Sequence, residues 1–216
     1  LELQALNDAI NALQVTINGT PTITDAQLAL IGITGATVDN LDAIQITLAE
    51  GTTSDYDTLA NVQARVTQTV TALNRLTAHS TLDADAGNNP QLQDYVDAGI
   101  SGVSDKNLLA VNAQLRLTAE LTDKNSAAEI QAIVTAANDA IAVITHFTAG
   151  DTALSVAQYE AAGMTGVSED NLLAVNAQAL LLTDVTAKNE VAEIQLLVTA
   201  ANDAIAYIVS DIAPLT

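Results

Sequence analysis

The clearest pattern along the chain is an apolar stripe at helical spacing, which occurs three times. One stripe comprises Ile130, Ile133, Val134, Ala137, Ile141 and Ile144. Matching stripes comprise Ile194, Leu197, Val198, Ala201, Ile205 and Ile208, and Leu59, Val62, Val66, Leu73 and Leu76. Intervals of three and four residues are typical of an amphipathic α-helix. We therefore predict three long helices, each of which buries its stripe.

Two shorter helices are predicted ahead of each long one. In the middle copy the first runs over about residues 90–98, with Asn89 as N-cap and Pro90 in the first helical position. Gly99 is predicted to end it in the left-handed conformation, and Gly32 and Gly163 to do the same in the other copies. The second helix is predicted to begin directly after its N-cap, which is Thr37, Ser104 or Ser168.

These helices belong to a sequence repeat. The segment YVDAGISGVSDKNLLAVNAQLRL begins at Tyr95 and returns 64 residues later, at Tyr159, as YEAAGMTGVSEDNLLAVNAQALL. A more divergent copy precedes them at offsets of 67 and 68, and residues 7–10 match residues 138–141. Similarity at a fixed period is the signature of repeat proteins. We predict an all-α fold, a linear tandem array of small three-helix bundles that form an elongated rod.

The repeat divides the chain into four segments. Residues 1–15 are predicted to be the last helix of a preceding repeat, and residues 16–80, 81–147 and 148–216 to be three repeats. Each repeat could bury a modest core of its own and gain stability from its neighbours. We expect the sequence to be part of a longer array, so that neighbouring repeats of the same polypeptide are its partners.

Charge and hydropathy exclude several kinds of partner. Six Lys and Arg stand against 26 Asp and Glu, which gives a formal net charge of −20. Nucleic-acid binding depends on cationic side chains, and strong like charge discourages self-association. No apolar run approaches the roughly 20 residues that span a bilayer, and residues 1–13 lack the features of a signal peptide. We predict a monomer without nucleic-acid binding or membrane insertion.

Two histidines are candidates for chemistry. His79 and His146 lie 67 residues apart, which would place both at matched positions near the ends of long helices. They could be metal ligands or bases, but the helix dipole also favours histidine at a C-terminus, and Ser210 stands there in the third repeat. We interpret both as helix-end residues and predict no catalytic, cofactor-binding or metal-binding residue.

The acidic joint after the first long helix is a candidate calcium site. Asp83 and Asp85 open a run of turn-forming residues, and Asp94 falls at the twelfth position of a calcium-loop spacing. The glycine at the sixth position and the glutamate at the twelfth are absent. We favour an acidic linker, and calcium binding at Asp83 and Asp85 stays open.

Four polar residues recur inside the helices. Asn138 and Asn202 face the margin of the core, where an asparagine needs hydrogen-bond partners. We predict a structural role for them, since the first repeat has Val70 at this position. Tyr95 and Tyr159 occupy matched positions in the first helices, and we expect them to pack with their hydroxyls at the surface.

Patterns for covalent or phosphate chemistry do not occur. The sequence has no Cys, no Gly-x-Ser-x-Gly elbow and no phosphate-binding glycine loop followed by Lys. We therefore predict that the protein is not an enzyme and has no cofactor.

The blocks AG-[IM]-[ST]-GV-S and NLLAVN, with EIQAIVTAANDAIA after them, resemble helical repeats of very large Gram-negative surface proteins. These are repetitive adhesins of the RTX or biofilm-associated kind, secreted by a type I system. The resemblance covers most of residues 85–209 and, more loosely, residues 22–76. It implies an extracellular protein at the bacterial cell surface. The glycine- and aspartate-rich nonapeptides and immunoglobulin-like modules of such adhesins do not occur in this sequence.

Two functions are consistent with these features. The first is a structural spacer or stalk segment of an adhesin involved in cell attachment or biofilm formation, since repetition of one module with a polar surface suits a spacer. The second is a protein-binding helical module, in which a groove between two helices captures a host or matrix protein. An apolar patch exposed in every repeat would favour the second function.

Overall fold

A computed structural model of the chain describes residues 2–79, 89–118 and 123–212. Within these ranges there are ten α-helices and no strands. The helices are α1 Glu2–Ile17, α2 Asp25–Leu30, α3 Leu41–Glu50, α4 Leu59–Ala78, α5 Leu92–Asp97, α6 Leu108–Leu117, α7 Ala127–Thr145, α8 Val156–Ala161, α9 Leu172–Leu181 and α10 Val191–Ile212. A 3-10 helix spans Val185–Lys188. The all-α class predicted from the sequence is confirmed.

Helix lengths recur in a fixed order after α1. A helix of six residues is followed by one of ten residues and then by a long helix. The three long helices have 20, 19 and 22 residues. We refer to the three kinds as the short, medium and long helices.

Each short helix ends in the same Schellman motif. Gly32, Gly99 and Gly163 have φ angles of +85°, +73° and +77°. The residue after each glycine donates its N–H to the carbonyl five residues earlier; the pairs are Ile33–Leu28 at 2.9 Å, Ile100–Tyr95 at 2.8 Å and Met164–Tyr159 at 2.9 Å. This geometry favours glycine, because L side chains are strained at such φ values. The predicted role of these glycines is confirmed.

The predicted start of the short helix in the middle repeat is wrong. Helix α5 begins at Leu92, and its N-cap is Gln91 rather than Asn89. The Gln91 N–H donates to Asp94 Oδ2 at 2.7 Å. Because Asp94 satisfies the N–H that precedes the helix, the capping box fixes the start two residues after Pro90.

The medium helices also start later than predicted. Helix α6 begins at Leu108, although Ser104 was the expected N-cap. Asn107 Oδ1 accepts the Ser104 N–H at 2.7 Å, which closes a separate turn before the helix. Asn40 and Asn171 accept equivalent bonds ahead of α3 and α9. An asparagine that bonds a backbone N–H three residues earlier competes with the helix and delays it.

The predicted stripes are buried over most of their length. Ile130, Val134, Ala137, Ile141 and Ile144 are all buried, and Ile133 is half-buried. The prediction is wrong at two helix ends, because Leu59 is 51% exposed and Ile208 is 56% exposed.

Two compact units divide the chain. The first comprises Leu1–Gly102 with Thr118–Ala132, and the second comprises Val103–Leu117 with Ile133–Thr216. In the first unit α1 packs against α2 and α3, and α4 packs against α3 and α5. A core shared by α1, α2, α3 and α4 includes Ala9, Leu13, Leu28, Ile44, Leu48 and Val66. The core of residues 16–80 therefore includes α1, a helix that lies outside that segment.

The second unit shows packing of the same kind. Here α9 packs against α10, and α6 packs against α8. Helices α6 and α8 belong to successive predicted repeats. Apolar burial in this unit, as in the first, thus joins a short helix to the helices that precede it in the chain.

Candidate functional site

The two histidines do not occupy equivalent positions. His79 is buried directly after α4, and its backbone carbonyl accepts a hydrogen bond from Lys124 Nζ. The equivalent carbonyl in the next repeat is that of Phe147, which accepts from Lys188 Nζ at 2.8 Å. His146 is exposed, and its Nδ1 lies 2.8 Å from the Ala142 carbonyl oxygen. The predicted match between His79 and His146 is wrong by one residue, because the long helices align at an offset of 68.

Lys188 is buried at the end of α7. Its side chain is 1% exposed, and its Nζ donates to the carbonyls of Phe147 at 2.8 Å and Ala179 at 3.1 Å. Thr145 Oγ1 donates to the Lys188 carbonyl at 2.9 Å. Desolvation lowers the pKa of Lys188. Carbonyls at helix C-termini lack intrahelical partners and carry partial negative charge, which suits an ammonium group.

Lys124 makes the same arrangement in the first unit. Lys124 is 1% exposed, and its ammonium donates to the His79 carbonyl. Thr77 Oγ1 donates to the Lys124 carbonyl at 2.9 Å. We call each arrangement a lysine clamp, formed by Lys124 with Thr77 and His79 or by Lys188 with Thr145 and Phe147. These clamps were not predicted from the sequence. The signal available was the recurrence of Lys-Asn after 64 residues in a chain with only six Lys and Arg.

Ion pairs also connect consecutive repeats. Arg65 lies 3.7 Å from Asp97, Arg75 lies 3.4 Å from Asp94, and Lys106 lies 2.6 Å from Glu190. Each pair joins residues on two sides of a predicted repeat boundary, as both lysine clamps do. Arg65 also lies 3.9 Å from Glu50 of its own repeat. A surface pair such as Lys106–Glu190 stabilises by only about 0–1 kcal/mol, whereas the side chains of Arg65 and Asp97 are only 20% and 15% exposed. Together the pairs concentrate the scarce positive charge near the predicted repeat boundaries.

Asn138 and Asn202 hold the turn that precedes each medium helix. Asn202 Oδ1 accepts from Asn171 Nδ2 at 2.6 Å, and Asn202 Nδ2 donates to the Gly166 carbonyl at 3.1 Å. Asn138 Oδ1 accepts from Asn107 Nδ2 at 2.5 Å. Both asparagines thus bond the asparagine of the turn, and Asn202 also bonds a loop carbonyl.

The hydroxyls of Tyr95 and Tyr159 are not at the surface. Tyr95 is fully buried, and Tyr159 is 1% exposed. Tyr159 Oη donates to Asn176 Oδ1 at 2.9 Å, and Asn176 Nδ2 donates to the Leu154 carbonyl at 2.8 Å. Burial raises the pKa of Tyr159 to about 12 and raises that of Tyr95 further. The prediction of surface hydroxyls is wrong, and for Tyr159 the reason is that α9 supplies a buried acceptor.

The candidate calcium joint is only partly visible. Asp83 and Asp85 lie outside the described residues, so the structure does not bear on them. Asp94 is engaged elsewhere, since it caps α5 and pairs with Arg75. At the next joint Asp151 accepts the Thr148 N–H at 2.8 Å, and this bond lowers the pKa of Asp151. Among residues 2–79, 89–118 and 123–212 no group of three His, Asp or Glu could hold a metal ion.

The glycines at the ends of the short helices differ in what approaches them. A Cβ built on Gly163 would lie 2.7 Å from Ala110 Cα, and one on Gly99 would lie 2.8 Å from Ile46 Cγ2. Both neighbours belong to the medium helix of the preceding repeat. Gly32 has no atom within 4 Å of the corresponding position.

An apolar groove of about 500 Å³ lies between α1, α2 and the start of α4. We call it the α1–α2 groove. Its walls include Leu6, Ile10, Leu30 and Leu59, which are 37%, 42%, 49% and 51% exposed. A second, polar recess of about 520 Å³ is lined by Glu50, Tyr56 and Arg65, among others. The groove, in contrast to this recess, exposes aliphatic side chains.

The prediction that no apolar run approaches the length of a membrane span is wrong for α7 and α10. Both contain a stretch long and apolar enough to cross a membrane by length and composition. In both helices part of the apolar stripe packs inside the protein, with Val134 and Val198 fully buried, whereas Ile208 of α10 is 56% exposed. Core helices pass the same test, so this property does not distinguish the two roles. No protein-family model, curated protein or solved structure matches the chain.

Proposed function

We propose that the protein is a structural spacer, a stalk segment of a large repetitive adhesin at the surface of a Gram-negative bacterium. The observation that carries this proposal is the placement of its interactions. Both lysine clamps, and the Arg75–Asp94 and Lys106–Glu190 pairs, connect one predicted repeat to the next. The resemblance of the repeated blocks to those of secreted adhesins supports the location outside the cell.

Joints of this kind suit a spacer because they fix each repeat on its neighbour. A buried ammonium that bonds helix-end carbonyls restricts both sides, since leaving such groups unsatisfied costs about 1–3 kcal/mol. The net charge of −20 disfavours lateral association of such chains. We propose that the repeats are three-helix modules stacked in a linear, elongated array.

Small-angle scattering tests the spacer proposal. A compact globule of 216 residues would have a radius of gyration of about 17 Å. We expect a clearly larger value and a maximum dimension near ~100 Å, from three modules with helices of about 27 Å each. A compact particle would contradict the proposal. Repeating the measurement with calcium tests Asp83 and Asp85, since a calcium-dependent change would require a site at the joints.

A matched variant makes the scattering test sharper. A second copy of residues 89–152 inserted after residue 152 preserves the 64-residue register and adds one repeat. In a linear array it lengthens the particle by one step and leaves its cross-section unchanged. Growth of the cross-section instead would refute the linear arrangement.

One observation favours the binding module as a second candidate. Leu109 and Leu117 of α6 are each 60% exposed, and their counterparts Leu173 and Leu181 are 83% and 72% exposed. The first repeat has acidic residues at both positions, so the patch recurs in two repeats of three. Binding to immobilised fibronectin or collagen that is lost in Leu117→Asp/Leu181→Asp, with unchanged melting, would support this candidate. Absence of binding by the parent protein to both probes would count against it.

A further inference from the structure

We infer that the α1–α2 groove is the docking site for the medium helix of another repeat, an asparagine-capped amphipathic helix like α6. This inference deepens the proposed function and rests on it, because it needs a repeat that precedes residue 1. It names the surface and the partner for that contact. In the second unit the corresponding contact is present.

The two long walls of the groove have counterparts in the second unit. Residues 7–10 match residues 138–141, so α1 corresponds to the later part of α7 at an offset of 131. At the same offset Gly32 matches Gly163, so α2 corresponds to α8. Helices α2 and α8 also share their structure, since each has a capping box and a Schellman glycine.

Helix α6 and the turn before it contact both of these counterparts. Gln114 Nε2 donates to the Ala161 carbonyl of α8 at 2.6 Å, and Ala110 lies against Gly163. Asn107, directly before α6, donates to Asn138 of α7. The medium helix therefore contacts the short helix that follows it and the long helix of its own repeat. The corresponding position in the first unit is the α1–α2 groove.

The third wall of the groove has a counterpart as well. The start of α4 matches the start of α10, with Leu59 equivalent to Val191. Val191 donates its N–H to the Lys106 carbonyl at 3.0 Å, and Glu190 pairs with the Lys106 ammonium. Thr58 is the counterpart of Glu190 at this edge, and the carboxylate of Asp57, which also lines the groove, lies one residue earlier in the chain.

Side chains in the α1–α2 groove are more exposed than their counterparts in the second unit. Leu6 is 37% exposed and Ile10 is 42% exposed, whereas their counterparts Ala137 and Ile141 are 0% and 7% exposed. Covering aliphatic surface is favourable by about 25 cal/mol per Å². Asn7 of α1 is exposed, and its counterpart Asn138 accepts a hydrogen bond from the turn before α6. A docked medium helix would cover the leucine and isoleucine and would bring a partner for Asn7.

The test extends the full chain by a copy of its own residues 89–131, fused directly before Leu1. This junction keeps the 131-residue register, because Leu1 is the counterpart of Ala132. Hydrogen exchange of the α1 amides is then compared with that in the parent chain. We expect at least about tenfold slower exchange of residues 6–13 and protection of the added medium helix. Sedimentation at the same concentration confirms that the protection arises within one chain.

The matched control is the extended chain with Leu6→Asp and Leu30→Asp. Both side chains are partly exposed without the extension, so the parent chain with the same changes provides the folding control. We expect the gain in protection to disappear in the extended variant and to be reduced in an extended Asn7→Ala variant. Unchanged exchange of α1 after extension would overturn the inference, as would a gain that the two aspartates leave intact. Failure of the spacer proposal is separate, since it would be seen as a compact particle in scattering while α1 is still protected.

Discussion

Gly163 and Gly32 stand at equivalent positions and differ in one respect. Both end a short helix, with φ angles of +77° and +85°. Ala110 of the preceding medium helix lies against Gly163, whereas no atom lies within 4 Å of the Cβ position of Gly32. The backbone conformation is thus set within the short helix, and close packing is set by the repeat before it.

The same contrast occurs at the other end of the repeat. Ile144 near the end of α7 is fully buried, and its counterpart Ile208 in α10 is 56% exposed. In α7 the next residue, Thr145, bonds the Lys188 carbonyl of the following repeat. Both positions hold isoleucine, so burial there depends on contact with the following repeat and not on the identity of the side chain. Four predictions test this difference.

The largest effect is expected from Ile144→Ala compared with Ile208→Ala. Removing the buried isoleucine should lower the free energy of unfolding by about 3 kcal/mol, because it leaves a cavity. The same change at Ile208 should cost about 0.5 kcal/mol or less. Urea denaturation followed by circular dichroism measures both. Similar losses in the two variants would mean that Ile208 is covered in solution.

Replacing the three equivalent glycines by alanine should give graded losses. At Gly163 the expected loss is about 3 kcal/mol, from the left-handed backbone and the clash with Ala110 Cα. Gly99→Ala should lose about 2 kcal/mol, because its closest neighbour is a side-chain atom, Ile46 Cγ2, rather than the backbone. Gly32→Ala should lose about 1 kcal/mol, from the backbone alone.

The glycine series carries its own control. All three variants share the same strained φ region, so the differences between them report only the approach of the medium helix. Equal losses in urea denaturation would contradict the comparison. Valine at Gly99 or Gly163 should lower stability further, since a β-branched residue fits this conformation badly.

Lys188→Met tests the lysine clamp. The methionine leaves the Phe147 and Ala179 carbonyls without the ammonium donor, and the expected loss is about 2 kcal/mol. Lys106→Met is the matched control, because Lys106 pairs with Glu190 at the surface. Its effect on the thermal midpoint should be smaller and should shrink further in high salt. A larger effect at Lys106 than at Lys188 would refute the clamp.

The smallest effect at neutral pH is expected from Tyr159→Phe, which loses one hydrogen bond worth about 1 kcal/mol. The pH dependence distinguishes it further. The pKa of Tyr159 is about 12 in the folded protein, above the usual value of 10.0. Because the pKa is raised in the folded protein, the neutral phenol of Tyr159 stabilises the folded state below pH 10. This contribution is lost between pH 10 and 12, because the phenol ionises first in the unfolded protein.

The variant should therefore lose less stability than the parent protein between those two pH values. The matching position in the first repeat is Leu28, which does not titrate. Urea denaturation at pH 9 and pH 11 measures the difference. An identical pH dependence in parent and variant would contradict the buried hydroxyl.

Local patterns predicted the fold class and the helix order well. The spacing of Ile130, Val134 and Ala137 identified a buried helix face, and Gly99 identified the end of a short helix, because both signals lie within a few residues of sequence. The start of α6 was misplaced because the side chain of Asn107 bonds the backbone of Ser104. Helix propensities do not include this competition between the side chain and the helix.

Features that depend on another repeat were missed. Nothing near Lys188 in the sequence indicates that it is buried at the end of α7, 41 residues earlier. The burial of the Tyr159 hydroxyl was missed within a single repeat, because its acceptor Asn176 lies on a different helix, α9. The exposure of Ile208 was missed for the converse reason, since its own helix has the same pattern as α7.

The lysine clamps have a consequence for how genes of this kind can change. The residues that form each joint recur at nearly constant spacing, so recombination between two repeats would delete or duplicate a whole module in register. A duplicate of residues 81–147 would again place a lysine near the end of a long helix, whereas a copy of the first repeat, which has no lysine, would not. In the proposed module arrangement, the number of repeats can therefore change by recombination without a change in the residues of the lysine clamps.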